Sequence, residues 1–155
     1  MLATGNQAPD FSLRKVGGAM VSLREILRGR TAVIAFFKVS CPVCQLAFPF
    51  LAKMAASENA QFIGVSQDDE TSTQRFLSEY GVKFTTLLDD SGRGYPASNA
   101  YGIKHVPTIF VVEGDGAVAR AWSGFSRKDM EQLGELVEVK PFGPDDADLP
   151  GYKPG

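Results

Sequence analysis

Ala32-Val33-Ile34-Ala35-Phe36-Phe37, then Lys38-Val39-Ser40, then Cys41-Pro42-Val43-Cys44: a wholly apolar run gives way within three residues to the chain's only two cysteines. The run has no period-two alternation, which is how a strand buried on both faces reads, so it belongs at the centre of a sheet. From Pro42 onward, Val43, Leu46, Ala47, Phe50, Leu51 and Met54 follow the i, i+3, i+4 spacing of a helix with one buried face. Proline suits the first position of that helix, where its missing N–H costs nothing, and this makes Cys41 the N-cap. Pro49 removes the bond to the Gln45 carbonyl, and because the apolar stripe continues past it a kink is expected there rather than a stop.

A sulfur at the N-cap faces unpaired backbone N–H groups and the positive end of the helix dipole, which favour thiolate over thiol. Cys44 lies one turn further on, close enough to attack a mixed disulfide at Cys41. The pair therefore reads as a reversible dithiol, with one cysteine attacking and the other resolving. Three plainer readings compete with it. As a structural staple, a four-residue loop contributes only about 2 kcal/mol. A zinc site needs about four ligands, whereas the chain offers no second cysteine pair and a single histidine, His105, so no metal is expected. Two chance buried cysteines suit a cytosolic protein but leave the strand-to-helix placement unexplained.

At 155 residues and 44% hydrophobic content the chain supports one core and not two. Sixteen Lys and Arg against 18 Asp and Glu give a net charge of −2, with none of the basic runs or basic-aromatic interleaving of nucleic-acid binders. No apolar stretch is long enough to span a bilayer. Met1 to Pro9 has neither a charged region nor an apolar one of the kind an export signal needs. A cytoplasmic location is expected on that ground, with a periplasmic or other extracytoplasmic one as the alternative if a signal segment was removed.

Outward from the cysteines, Phe11 to Arg14 and Met20 to Leu23 alternate about Gly17-Gly18 and predict a hairpin. Ser22 is placed to cap a short helix through Leu27, with Glu25 as its capping-box partner. Phe62–Val65 and Thr85–Leu88 read as strands, with a helix over Thr71–Tyr80 between them ended by Gly81. Turn-rich residues lead to a helical turn near Ala100, then to strands Thr108–Val112 and Ala117–Ala121 about Gly114-Asp115-Gly116. A last helix is predicted from a Ser126 cap to about Val139, with Met130, Leu133, Leu136 and Val137 facing inward. Strands alternating with helices give a three-layer α/β domain over residues 1–140. Residues 141–155, rich in Pro, Gly and Asp, are expected to form a tail that is disordered or laid loosely on the surface.

With the strand-CPVC-helix unit placed, the chain resembles the thioredoxin superfamily and, within it, the redoxin group that includes the TlpA/ResA-like thiol-disulfide oxidoreductases. Four pieces between Gly5 and Val139 carry the likeness. They are Ala8-Pro9-Asp10-Phe11-Ser12-Leu13, the segment Phe36 to Pro49, Tyr101-Gly102-Ile103-Lys104-His105-Val106-Pro107-Thr108, and Gly114-Asp115-Gly116. The resemblance implies a thioredoxin-like fold with an N-terminal β-hairpin and a helix-strand unit inserted over Asp68 to Ser91. It implies a cis Val106–Pro107 bond that presents the Val106 backbone to an incoming peptide. It also implies catalysis by Cys41 and Cys44 without a cofactor, on protein thiol and disulfide substrates, with an electron-donor reductase as the second partner. A monomer acting as a reductant is the favoured form, with neither nucleic acid nor membrane as a partner.

The departures bear on mechanism. Ser40 replaces thioredoxin's tryptophan before the first cysteine, and Ala35 replaces its buried aspartate. Ala47 stands where ResA-like proteins often carry a glutamate. Lys38 and His105 are the remaining candidates for tuning the thiols by charge. Peroxiredoxins share the opening segment and the fold, but in their P-x-x-x-T-x-x-C signature this chain has Ile34 for the proline and Lys38 for the threonine, so any peroxidase activity is expected to be weak. A non-enzymatic alternative is a binding module whose cysteines serve only as a redox latch.

Overall fold

The computed structural model describes residues 1–155. Its strands are β1 (Ser12–Lys15), β2 (Met20–Ser22), β3 (Ala32–Phe37), β4 (Gln61–Ser66), β5 (Thr86–Leu88), β6 (Thr108–Val112), β7 (Val118–Ser123), β8 (Phe125–Ser126) and β9 (Tyr152–Lys153). Its helices are α1 (Leu23–Leu27), α2 (Pro42–Met54), α3 (Glu70–Glu79), α4 (Pro96–Ala100) and α5 (Arg127–Val137). Seven strands form one mixed sheet in the order β2-β1-β5-β4-β3-β6-β7. β3 pairs parallel with β4 and antiparallel with β6, so it is hydrogen-bonded on both edges.

All six residues of β3 are buried because both of its faces carry a core. Val33, Ala35 and Phe37 point to one side, against α2, α3 and α5, while Ala32, Ile34 and Phe36 point to the other, against α1 and α4. Phe37 sits in an aromatic nest with ring centroids 4.4 Å from Phe48 and 4.9 Å from Phe76. Opposite it, Phe36 packs 5.3 Å from Tyr101, whose hydroxyl donates to the Pro9 carbonyl at 2.8 Å. The apolar run thus fixes the height at which the following turn, and the cysteines on it, leave the sheet.

The N-terminal hairpin and the Ser22 cap form as expected, with the Ser22 hydroxyl accepting the Glu25 N–H. Helix α2 passes through Pro49 without stopping. Three expectations need correction. Leu136 is 47% exposed, because Met130, Leu133 and Val137 already complete the inward stripe of α5 and Leu136 falls off its edge. That helix ends at Val137, where Glu138 turns left-handed at φ 60°. The C-terminal residues are not disordered: Pro144–Asp146 form a 3₁₀ turn, and β9, exposed throughout, lies on the surface paired antiparallel with β8. Phe142 anchors their start, its ring 4.9 Å from Phe50 and stacked under the Arg127 guanidinium. No helix is long and apolar enough to cross a membrane.

Candidate active site

The turn after β3 is held before the cysteines are reached. The Val39 N–H donates to the Asp68 carboxylate at 2.8 Å, the Gln45 amide donates to the Val39 carbonyl at 3.0 Å, and the Cys41 N–H bonds the Lys38 carbonyl at 3.3 Å. Cys41 is the N-cap of α2, in extended backbone at φ −81° and ψ 115°, with Pro42 opening the helix. Its sulfur accepts the Cys44 N–H at 3.2 Å, one of the donors that a helix start leaves free. As a thiol it donates to the Val106 carbonyl at 3.4 Å. The Val106–Pro107 bond is cis. The active-site turn and the proline loop are therefore joined through the Cys41 sulfur itself.

Both cysteines are free thiols, and they differ in access: Cys41 is half-buried, whereas Cys44 is fully buried. Cys44 lies in the core beneath the turn, among side chains that include Ala35, Phe48 and Ile109. Burial pushes its thiol far above the ordinary value, and the hydrogen bond with Cys41 and the negative charge of Asp68 push the same way. Ala35 and Ala47 are buried and pack as core.

Lys38 and His105 are both exposed and share with Val106 the rim of a depression of about 300 Å³ that also takes in Gln67 and Ser98. Neither side chain hydrogen-bonds or ion-pairs with Cys41, so the structure brings them near the site without attaching them to it. Asp68 is the residue that sequence reasoning missed. Its signal was topological: β4 runs parallel beside β3, so the residues just beyond its C-terminal end emerge next to the turn beyond β3, where sites in parallel sheets gather. The Ser66 hydroxyl accepts the Asp68 N–H at 3.1 Å and bonds Thr73 at 2.7 Å, which ties Asp68 to α3.

A cysteine pair at the N-terminus of a helix, leaving a central strand and facing a cis-proline across the sulfur, defines the thioredoxin-like class of redox proteins. The sequence matches the AhpC/TSA family over residues 4–121, and the chain belongs to that family. It is 28% identical over 139 residues to the thiol-disulfide oxidoreductase ResA of Halalkalibacterium halodurans, a match covering 86% of this chain and 77% of that protein. A crystal structure described as a thiol:disulfide interchange protein DsbE from Chlorobium tepidum superposes with a TM-score of 0.77 at 28% identity, covering 89% of this chain and 97% of that one. A Helicobacter pylori protein described as the peroxiredoxin bcp is 27% identical, the match covering 85% of this chain and 98% of that protein.

Proposed function

We infer that this chain is a thiol-disulfide oxidoreductase acting on protein thiols and disulfides, with Cys41 as nucleophile and Cys44 as resolving thiol. The observation that carries the assignment is the asymmetry of the pair: one sulfur is accessible, capped by a helix N–H and set against the cis-proline loop, and the other is buried directly beneath it. In the reducing direction, the Cys41 thiolate attacks a substrate disulfide to give a mixed disulfide and a substrate thiolate. Cys44 then loses its proton and attacks the Cys41 sulfur, releasing the second substrate thiol and leaving a Cys41–Cys44 disulfide. Two electrons pass to the substrate, and an electron-donor reductase must return them. Val106 and Pro107 provide the backbone edge against which the substrate peptide lies. The reducing direction is part of the proposal, and a measured reduction potential decides it.

Mild oxidation of the reduced protein should remove two hydrogens from its mass, with dithiothreitol restoring them, and the reduced protein should reduce a protein disulfide stoichiometrically. A chain that forms no internal disulfide while its Cys41 still alkylates would defeat the assignment. The likeness to a peroxiredoxin supports a second reading, peroxide reduction, against which stands the absence of a threonine hydroxyl at Lys38 to orient the peroxide. Turnover of hydrogen peroxide should accordingly be far slower than disulfide exchange. Cys41→Ser separates catalysis from simple groove binding, since it abolishes the first and spares the second.

A further inference from the structure

The chain's last residues end beside the nucleophile. β9 pairs with β8 in the register Phe125 to Lys153 and Ser126 to Tyr152, and the Arg127 N–H extends the pairing to the Gly151 carbonyl at 2.8 Å. The Tyr152 hydroxyl reaches back to the Ser123 carbonyl at 3.3 Å. Before this strand, Leu149 packs on the small cluster of Val43, Ala47 and Phe125 that Cys41 also touches. After it, the chain reaches the cis-proline loop, where Gly155 lies so close to the Val106 carbonyl that a Cβ there would overlap it. That carbonyl is the one to which the Cys41 thiol donates. Pro107 is tied to the same edge, since its carbonyl accepts the Gly124 N–H at 2.8 Å, and Gly124 at φ +81° has the Lys153 carbonyl pressed against it.

An extended, exposed segment paired along β8 and reaching Val106 occupies the space that a substrate peptide needs. Resting on the oxidoreductase reading, we propose that Leu149–Gly155 is an intramolecular occupant of the substrate-peptide groove, which peptide substrates displace and small thiols bypass. Composition suits the segment to this role. It contains no cysteine, so it fills the groove without reacting, and its glycine at 155 permits the close approach of main chain to main chain at Val106. Its hold is light: residues 151 to 155 are all exposed, and a two-residue ladder is marginal by itself. A short connection nevertheless keeps the segment at an effective concentration of about millimolar, enough to compete with weak peptide ligands. The groove so defined fits an extended strand recognised through its backbone, and a peptide's apparent affinity falls by the fraction of time the tail is out.

The test compares the full chain with Gly155→Val, whose branched side chain cannot sit against Val106, and with a chain lacking residues 149–155. Both variants should show a KM for a disulfide-bonded peptide lowered about threefold or more, with kcat unchanged and with the rate toward a small aromatic disulfide within about twofold of the parent. Adding the free peptide Leu-Pro-Gly-Tyr-Lys-Pro-Gly to the shortened chain should raise the KM again. Equal KM values in all three proteins, or equal acceleration toward both substrates, would overturn the proposal. A readout independent of catalysis uses the same substrate peptide with serines for cysteines. On titration, the Tyr152 and Lys153 backbone resonances of the full chain should move to free-tail positions, and they should do so even if no disulfide exchange is detected. Peptide binding that leaves those resonances in place, or no peptide binding in any of the three proteins, contradicts the inference.

Discussion

As the proposed resolving thiol, Cys44 must lose a proton before it can attack, yet it sits where burial disfavours the anion. The carboxylate that adds to this burden is Asp68, which also holds the Val39 N–H and so fixes the turn carrying Cys41. Asp68→Asn keeps an acceptor for Val39 while removing the charge, so the resolving step should quicken and the fold should hold; stopped-flow release of substrate thiol from a preformed mixed disulfide measures this. Any effect of Lys38 or His105 on the proposed nucleophile acts through space, in a solvent-exposed setting where charges are readily screened. Lys38→Ala or His105→Ala should slow alkylation of Cys41 by about two- to fivefold at low salt, and the difference should vanish at high salt. Rates identical to the parent at both salt concentrations would assign both residues to the surface alone.

Each element of the site is built by a local device, and the devices differ in how plainly the sequence displays them. β3 and α2 were legible because an unbroken apolar run and a 3.6-residue stripe each leave a periodic signature, and Pro42 marks the boundary between them. Helix α4 was legible only as a turn, because its support is remote. Asp89, fully buried at the end of β5, accepts the Ala97 N–H at 2.9 Å and the Ser98 N–H at 2.7 Å, taking up donors at the helix start. Asp89→Ala leaves those donors buried and unpaired and should destabilise the protein by about 2–3 kcal/mol in urea titration, with Asp89→Asn losing less. Strand β9 left no signature. Two residues between a glycine and a proline carry no period, and their pairing is fixed by the distant β8 edge rather than by local propensity. At Leu136 on α5 hydrophobicity and burial part company, because the stripe of Met130, Leu133 and Val137 is complete without it.

At the scale of the molecule, thioredoxin-like order was readable from four segments, whereas the charge at the site and the course of the tail depend on contacts between residues far apart in the chain. The same burial that shields Cys44 sets a pH signature on stability. Its thiol is raised in the folded state, so the folded chain holds a proton that the unfolded chain releases; stability is whole below the unfolded value of about 8.5 and falls as pH rises above it. Tyr101, raised by burial and by Asp10, adds a second loss above about 10. Unfolding of the reduced protein, followed by the fluorescence of the single Trp122, should lose up to about 1.4 kcal/mol per pH unit above 8.5, and Cys44→Ala should abolish the first part of the slope. The division of labour between the two sulfurs is open to covalent trapping. Incubated with a disulfide-bonded protein substrate, Cys44→Ser should accumulate a covalent mixed disulfide through Cys41, visible by mass on a non-reducing separation, and Cys41→Ser should accumulate none; adducts formed through Cys44 in Cys41→Ser, with none in Cys44→Ser, would contradict the account.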